Sequence, residues 1–297
     1  MSPHTLDRRR HAYRPDLADA RLDGQVSARR FVAGVPRQIR HASAPMRATP
    51  DAAAGLDNEA LFGEPVSLFE EAGGWAWVQL ERDGYVGYVP AETLAADVLA
   101  STHRVQCPGT FVYSEPSIKR PPLAHLSLNA YVTAGEPASD ERFIALVTGG
   151  YVYARHLAAV GKHARDFVDV AEQLIHTPYL WGGRTRLGLD CSALVQLALE
   201  AAGRICPRDS DMAAVELGTA VLVPADLEGL RRGDIVYWPG HCGIMIDSVM
   251  LLHANGHHMA TVIEPLSQVA RRNRKAGGAG AEISGIRRLL PEVVGAT

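Results

Sequence analysis

The feature that most constrains the fold of this chain is a run of short apolar stretches between glycine turns, from Gly63 to Leu94. The run reads GEPVSLFEEAGGWAWVQLERDGYVGYVPAETL, and its Gly-Gly and Asp-Gly dipeptides separate stretches rich in Val, Trp and Tyr. Such stretches between turn formers are typical of β-strands joined by tight hairpins. Short strands at this spacing predict a small all-β barrel, which we expect to occupy residues 29–98.

A weaker version of the same pattern covers residues 101–158. Its last stretch, GGYVYARHL, resembles the earlier DGYVGYVPAETL in residue type and order. This repetition indicates an internal duplication and predicts a second barrel. Residues 1–28, in contrast, are basic and then of mixed charge, which predicts an extended polar segment ahead of the first barrel.

The pattern changes after Gly161, where helical periodicity begins. ARDFVDVAEQLIH and CSALVQLALEAAG repeat apolar residues every three or four positions. Four strand-like stretches follow (DIVYW, HCGIMID, VMLLHAN and ATVIEPL), and then a basic, glycine-rich run, RRNRKAGGAGAE, that we expect to be an exposed loop. Helices followed by antiparallel strands indicate an α+β domain, which we place at residues 160–292.

Composition excludes several classes of function. The formal net charge of −3 gives no electrostatic basis for binding nucleic acid or an anionic membrane. No apolar run reaches the roughly 18 residues of a membrane span, and the first residues lack the apolar core of a secretory signal. We therefore expect a cytoplasmic protein with free thiols at its four cysteines and with no nucleic-acid or membrane partner.

Cys191 is the strongest candidate for a nucleophile. It follows Asp190, a good N-cap residue, at the first turn of a predicted helix. The partial positive charge of a helix N-terminus favours a thiolate there. From this segment alone, a buried cysteine that only packs is an equally good interpretation.

Two histidines in predicted strands favour the catalytic interpretation. His241 opens one strand and His253 lies near the end of the next, and adjacent antiparallel strands can place two such side chains together. A cysteine nucleophile needs a base, and that base needs a third group to fix its tautomer. A zinc site is disfavoured because His241 and Cys242 are consecutive on a strand and point to opposite faces. We expect no metal and no cofactor.

Taken together, these motifs resemble the NlpC/P60 family of cysteine peptidases. The matching residues are YLWGG ending at Gly183, DCSALVQ around Cys191, RRGDIVYW, HCGIMID and LLHAN, in that order. The β-rich regions ahead of them resemble bacterial SH3-like domains, as in the γ-D-glutamyl-L-diamino acid endopeptidases, or dipeptidyl-peptidases VI. The resemblance implies two SH3-like barrels followed by a papain-like α+β peptidase domain.

The resemblance also implies roles for individual residues. Cys191 would be the nucleophile, His241 the base and His253 the residue that orients the base. Tyr179 would stabilise the oxyanion together with the backbone N–H of Cys191. Asp190 would bind the free α-amine of the substrate, although a simple helix cap explains it equally well.

The remaining implied residues would form the binding site for substrate. Ser192 and Ser210 would line the site for D-glutamate, and the first barrel would contribute Glu64 and Tyr85 to amine recognition. Plainer interpretations are a loop hydroxyl for Ser210, a solvated strand end for Glu64 and a core aromatic for Tyr85. Ala193 stands where relatives commonly have glycine, inside the helix, where alanine is well tolerated.

The implied function is hydrolysis of the bond between γ-D-glutamate and a diamino acid in murein tripeptides or tetrapeptides that carry a free N-terminal L-Ala. Recycling of imported fragments suits such an enzyme, because lactyl groups block that amine in the intact wall. The alternatives are a wall-remodelling hydrolase or acyltransferase with the same Cys-His-His set, and a non-catalytic cell-wall binding protein. The sequence indicates neither the preferred diamino acid nor the oligomeric state.

Overall fold

The computed structural model describes residues 6–224, 226–278 and 280–289. The chain folds into two units. Unit 1 comprises Met1–Lys162 and Trp181–Arg186, and unit 2 comprises His163–Leu180 and Leu187–Thr297. Of the predicted domains, residues 1–5 of the N-terminal segment and 290–292 of the α+β domain lie outside the described residues.

Unit 1 is built from β-strands. The strands of its first half are β1 Ala18–Asp19, β2 Phe31–Val32, β3 Val35–Ile39, β4 Ser43–Met46, β5 Asn58–Leu61, β6 Pro65–Ala72, β7 Trp75–Leu80, β8 Val86–Pro90 and β9 Leu94–Ala95. Those of its second half are β10 His103–Val105, β11 Gly109–Tyr113, β12 Pro122–Ser127, β13 Tyr131–Val132, β14 Ala134–Pro137, β15 Phe143–Leu146, β16 Tyr151–Tyr153, β17 Leu157–Ala159 and β18 Arg184–Thr185. Short 3-10 helices cover Ala20–Leu22, Ala91–Thr93 and Ala154–His156.

The hairpins predicted from the glycine turns are present in unit 1. β6, β7 and β8 pair antiparallel in sequence order. Gly73 and Gly74, between β6 and β7, both have positive φ, at 59° and 80°, which glycine adopts without steric cost. Val66 and Val78, from the inner faces of β6 and β7, are fully buried in the core of this half.

The sheets of unit 1 are open, and in this respect the barrel prediction was wrong in detail. The strand orders are β8-β7-β6-β3-β9 in the first half, and β12-β11-β16-β15-β14 with β13-β10-β17 in the second. No closed barrel forms among the described strands. The edge strand β9 has two residues, and the outer edge of β8 makes a single bridge, from Tyr88 to Arg47, so neither edge offers a ladder that could close.

The N-terminal segment is folded onto unit 1 and is not the extended lead-in that its charge predicted. β1 pairs with β2 in parallel. Ala12 and Leu17 are buried in a cluster with Phe69 and Trp77. The Arg14 guanidinium lies 4.4 Å from the centre of the Trp77 ring, a cation–π contact. The prediction failed because the segment is mostly charged and only a few apolar residues, such as Ala12 and Leu17, hold it in place.

Unit 2 has the predicted α+β composition. Its elements are α1 Phe167–Glu172, β19 Gly188–Leu189, α2 Cys191–Ala201, α3 Ser210–Glu216, β20 Thr219–Val221, β21 Asp234–Trp238, β22 His241–Met245, β23 Met250–Asn255, β24 Ala260–Pro265, α4 Leu266–Ala276 and β25 Gly285–Arg288. Six strands form one sheet in the order β20-β25-β21-β22-β23-β24. The four predicted strands are therefore confirmed as β21 to β24.

Helix α2 is central to unit 2. The sequence predicted one apolar face, yet ten of its eleven residues are buried, and Glu200 alone is not. Asp190 caps its N-terminus, since a carboxylate oxygen accepts a hydrogen bond from the Ala193 N–H at 2.8 Å. The Cys191 side chain is thereby held at the first turn of a helix that cannot shift without disturbing the core.

Helix α4 was not predicted from the sequence. The run RRNRK was expected to be an exposed loop, but it forms the last turns of the helix, which ends at Gly277 with a φ of 73°. Arg and Lys are good helix formers, and the Leu266 and Val269 side chains anchor the helix on the sheet. In the part of the chain that the structure describes, no helix combines the length and apolar character needed to cross a membrane.

Candidate active site

The Cys191 thiol is 6% exposed at the first position of α2. Its pKa lies well below the ordinary value, chiefly because the Cys242 thiol donates a hydrogen bond to it. Burial acts in the opposite direction, and the hydrogen bond and positive charge of His241 lower the pKa further. The sulfur therefore has a local environment that favours the nucleophilic thiolate.

His241 and His253 meet across two neighbouring strands. β22 and β23 pair antiparallel through Ile244 and Leu252, and both histidines lie on the same face of the sheet. His241 Nε2 is 2.8 Å from His253 Nδ1. The structure thus brings together the three residues that the sequence singled out, in the order thiol, first imidazole, second imidazole.

His253 is fully buried, and burial is the main reason why its pKa falls to about 4. The nearby charge of His241 lowers this pKa further, while the hydrogen bond to Glu264 opposes the shift. His253 Nε2 lies 2.9 Å from Glu264 Oε1. His253 is accordingly neutral at pH 7, as a residue that orients a base should be.

Glu264 and Arg272 were missed in the sequence. Glu264 on β24 is held by Arg272 on α4 through two hydrogen bonds of 2.8 and 2.6 Å. Its pKa falls to about 2, chiefly because of these bonds. The only charged residue in the strand ATVIEP was the available signal, since a glutamate on a half-buried strand needs a partner.

Cys242 follows His241 on strand β22 and lies on the opposite face of the sheet. It pairs with Tyr237 on β21, whereas His241 pairs with Trp238, so the two side chains alternate as predicted. The Cys242 thiol is buried beside Cys191, and its pKa is well above the ordinary value because it keeps its proton in the hydrogen bond to the Cys191 sulfur. This second thiol was not predicted to act at the site.

Tyr179 is half-buried ahead of β19, where it makes a parallel bridge to Leu189. Its pKa is raised above the ordinary value, first by burial and then by the negative charges of Cys191 and Asp190. The phenol therefore stays protonated close to the sulfur. A protonated phenol in this position can donate a hydrogen bond to an oxyanion, which is the role that the family resemblance implies.

Asp190 is more strongly engaged than a partly exposed cap. Arg208 binds both of its carboxylate oxygens, at 3.0 and 2.7 Å, and donates to Ser192 Oγ at 2.7 Å. Arg208 is 2% exposed and Asp190 7%. The carboxylate proposed for amine binding is thus neutralised within the protein. Arg208 was missed because the loop CPRDS carries no periodic pattern.

Ser210, the other hydroxyl predicted for the glutamate site, is the first residue of α3 and is half-buried. None of the described hydrogen bonds joins it to Asp190, Ser192 or Arg208. Two of the predicted polar residues, Asp190 and Ser192, are therefore brought together beside the nucleophile, and Ser210 is placed two positions after Arg208 in the chain.

Glu64 belongs to a buried ion pair in unit 1. It is 1% exposed, and Arg184 Nη1 and Nη2 lie 3.1 and 2.9 Å from its two oxygens. Arg82 Nε also lies 3.1 Å from Glu64 Oε1, and the Leu61 N–H donates to Glu64 Oε2 at 2.8 Å. The interpretation of Glu64 as a solvated strand end was therefore wrong. Its role in amine recognition stays a prediction, made for a carboxylate that two arginines already bind.

Tyr85 is 6% exposed and packs in the core of the first half of unit 1. It also lines a cavity of about 780 Å³ together with Trp75, Trp77 and Tyr88. These contacts favour the interpretation of Tyr85 as a core aromatic.

Two family models match the chain. Residues 46–94 match the bacterial dipeptidyl-peptidase SH3 domain, and residues 176–274 match the NlpC/P60 family. The second match contains the thiol, both histidines and Glu264. A bacterial SH3 domain followed by a peptidase domain is the class that the fold and the site define.

Two named relatives align with most of the chain. The chain is 28% identical over 230 residues to dipeptidyl-peptidase 6 of Lysinibacillus sphaericus, covering 70% of this chain and 83% of the relative. It is 24% identical over 270 residues to γ-D-glutamyl-L-lysine dipeptidyl-peptidase of Bacillus cereus, covering 80% and 76%.

The solved structure of an NlpC/P60 family protein from Bacillus cereus has a TM-score of 0.69 at 19% identity, covering 86% of this chain and all of that one. This likeness supports the fold. The match over residues 176–274 shows that this part of the chain is an NlpC/P60 domain, of the cysteine peptidase type.

Proposed function

We propose that this enzyme hydrolyses the bond between γ-D-glutamate and a diamino acid in murein peptides with a free N-terminal L-Ala, releasing L-Ala-γ-D-Glu. The observation that carries the proposal is the hydrogen-bonded series from the Cys191 thiol to His241 and on to His253, with 2.8 Å between the two rings. The names of the relatives supply the substrate class. Recycling of wall peptides in the cytoplasm is the proposed context.

The geometry supports a two-step acyl transfer. The Cys191 thiolate attacks the γ-carbonyl carbon, and the oxyanion accepts hydrogen bonds from the Cys191 N–H and the Tyr179 hydroxyl. His241, which has taken the thiol proton, gives it to the departing amine as the C–N bond breaks. Water then attacks the thioester with His241 as base, which releases the dipeptide acid and restores the thiol.

The departing diamino acid has to lie beside His241, because His241 supplies the proton of the new amine. A cavity of about 300 Å³ opens at this position in unit 2. Trp238, Asn273 and Arg272 line it together with both histidines. We propose this cavity as the site of the diamino acid.

A γ-linked D-glutamate keeps a free α-carboxylate, which needs a cation. Arg208 is the buried cation beside the nucleophile, and Ser192 Oγ lies 2.7 Å from it. We propose that these two residues recognise this α-carboxylate. Asp190 then serves as the cap of α2 and the anchor of Arg208, and a substrate ammonium has to share it with that arginine.

We also propose that the second half of unit 1 is a second SH3-like module. In both halves a Tyr-Val strand leads through a 3-10 turn into a short strand: β8, Ala91–Thr93 and β9 in the first, and β16, Ala154–His156 and β17 in the second. The two similar sequence segments, DGYVGYVPAETL and GGYVYARHL, thus have the same order of strand, 3-10 helix and strand.

The substrate proposal is tested by incubating the enzyme with L-Ala-γ-D-Glu-meso-diaminopimelate and with its N-acetylated form, and weighing the products by mass spectrometry. We expect L-Ala-γ-D-Glu from the free-amine peptide and at least 30-fold slower cleavage of the acetylated peptide. N-acetylation removes the substrate ammonium, and taking away the partner of a buried polar group costs about 2 kcal/mol or more. Equal cleavage of both peptides would favour a wall-remodelling hydrolase. No cleavage of either would leave a transferase or a binding protein.

A further inference from the structure

The hydrogen bonds that begin at Cys191 continue beyond His253. Glu264 Oε1 lies 2.9 Å from His253 Nε2, and Arg272 clamps the same carboxylate. His253 is fully buried, and the Glu264 side chain is 12% exposed. The acyl-transfer steps above do not use this carboxylate, although it contacts the ring that orients the base.

We propose that Glu264 is a positioning residue that holds the proton of His253 on Nε2, so that Nδ1 stays an acceptor for His241. This proposal rests on the catalytic role proposed for His241. An ionised carboxylate accepts hydrogen bonds and cannot donate them, so the ring nitrogen that faces it must carry a hydrogen. His253 Nδ1 then keeps its lone pair, and His241 Nε2–H donates to it across 2.8 Å.

The consequence reaches the thiol through His241. With its Nε2 proton committed to His253, His241 can exchange a proton with Cys191 only at Nδ1. This holds for the neutral ring and for the imidazolium, because Nε2 is protonated in both. The other tautomer of His253 would place Nδ1–H against His241 and drive the neutral His241 proton to Nδ1, where it blocks acceptance of the thiol proton.

A neighbouring amide competes with Glu264 for this choice. Asn255 Nδ2 is 3.1 Å from the same His253 Nε2, and the Asn255 carbonyl is occupied by the His258 N–H at 2.8 Å. The amide N–H₂ therefore faces the ring and favours the tautomer with a bare Nε2. The carboxylate outweighs it because a charge-assisted hydrogen bond is roughly twice as strong as a neutral one.

The groups around Glu264 keep it ionised. Arg272 from α4 binds both oxygens, His253 from β23 approaches at 2.9 Å, and His258 Nε2 from the turn after β23 lies 3.4 Å away. The pKa of Glu264, lowered to about 2 by the Arg272 hydrogen bonds, leaves the carboxylate charged across the neutral range. His241 is a further titratable group in contact with His253.

The test uses the full chain and three variants: E264A, N255A and E264A/N255A. In E264A the Asn255 amide is left to set the tautomer, so we expect kcat to fall roughly 10- to 1000-fold with KM little changed. N255A is expected to keep most of the wild-type rate. The double variant should be faster than E264A, because removal of the competing donor returns the choice of tautomer to His241.

Two further measurements separate this role from a structural one. The control variant is E282A. Glu282 Oε2 pairs with Arg274 Nε of helix α4 at 3.0 Å on the surface, so its removal should leave kcat unchanged. Side-chain ¹⁵N NMR of the histidines at pH 7, without substrate, should show His253 protonated at Nε2 in the wild type and at Nδ1 in E264A. These spectra need no turnover, so an enzyme that shows them but cleaves no murein peptide refutes the proposed function alone.

The proposal is overturned by any of three results. One is a wild-type His253 protonated at Nδ1, a result that does not depend on whether E264A folds. Another is an E264A enzyme with the wild-type kcat. The third is a double variant as slow as E264A, which would show that Asn255 exerts no opposing effect on the ring.

Discussion

Cys191 owes its acidity to neighbours on both faces of the sheet. His241 and Cys242 are consecutive in β22 and point to opposite faces, yet both donate to the Cys191 sulfur at the end of the strand. Because the two side chains point to opposite faces, they were not expected to bind one metal ion. At the end of the strand, both can still donate hydrogen bonds to the same thiolate. Because Cys242 holds its own proton, it supplies a neutral hydrogen-bond donor to the Cys191 sulfur.

We predict that C191A abolishes hydrolysis and that C242A moves the acidity of Cys191 upward. Loss of the Cys242 S–H removes the main hydrogen bond that lowers the pKa of the Cys191 thiol. The pH midpoint for alkylation of Cys191 by iodoacetamide should therefore rise in C242A, and the rate of hydrolysis should fall at neutral pH.

Cys107 in unit 1 provides the matched control, since its thiol donates to the Gly109 carbonyl and contacts neither histidine. C107A should keep the alkylation midpoint and the hydrolysis rate of the wild type. An unchanged midpoint in C242A would show that His241 and the helix N-terminus suffice for the acidity of Cys191.

The cluster of Cys191, His241 and His253 could be predicted because the local signals are strong: a capped helix start, and two strands that flank one turn. Glu64 could not, because its environment is set by Arg184, a residue 120 positions away in the chain. A single acidic residue before a strand has the same local signature whether it is solvated or buried. Arg208 and Glu264 are recognised only when their partners are known.

At the scale of the element, α2 depends on one carboxylate for two tasks. Asp190 caps the helix through the Ala193 N–H and holds the buried Arg208 by two hydrogen bonds. The first task was evident in the sequence, and the second was not. Helix α4 shows the opposite case, since its buried residues stop at Ala270 while the helix continues through a largely basic run to Ala276.

We predict that D190N destabilises the fold by roughly 3 to 5 kcal/mol, the cost of leaving a buried ion without its partner. Asparagine caps helices about as well as aspartate, so the loss reports on Arg208 rather than on the cap. The measurement is the free energy of unfolding in urea.

D166N is the matched control for this measurement. Asp166 caps α1 by accepting from the Val168 N–H at 2.8 Å, and its ion pair with Arg232 is 36% exposed on each side. An exposed pair contributes at most about 1 kcal/mol. Equal losses in D190N and D166N would mean that the Arg208 pair adds nothing to the stability of the fold.

At the scale of the whole molecule, acid stability follows from the neutral second histidine. The pKa of His253 is about 4 in the folded chain, against an ordinary value of 6.5, chiefly because of burial. Between these values the unfolded chain binds the extra proton, so the free energy of unfolding falls as the pH falls. At 1.36 kcal/mol per pKa unit this difference amounts to about 3 kcal/mol.

We predict that H253Q flattens this dependence. Urea unfolding between pH 7 and pH 4.5 should show a steeper loss of stability in the wild type than in the variant, because glutamine does not titrate. Parallel curves for the two proteins would place the acid sensitivity in other groups.

The division into a β-rich part and an α+β part could be predicted, because turn-separated strands and helical periodicity differ over long windows. Whether the sheets close could not, since alternation along a strand does not say which distant strand it pairs with. The folding of the N-terminal residues onto Phe69 and Trp77 was hidden for the same reason.

Residues 181–186 limit how the two units can be exchanged by recombination during evolution. They interrupt unit 2 in the chain but belong to unit 1, where Arg184 completes the buried pair with Glu64. Recombination that replaced residues 1–162 with a foreign module would keep Arg184 but remove Glu64, its partner in the ion pair. Losing one side of a buried pair costs roughly 3 to 5 kcal/mol. Selection should therefore keep the two gene segments together, and shuffling should succeed only where both ends of the pair move as one.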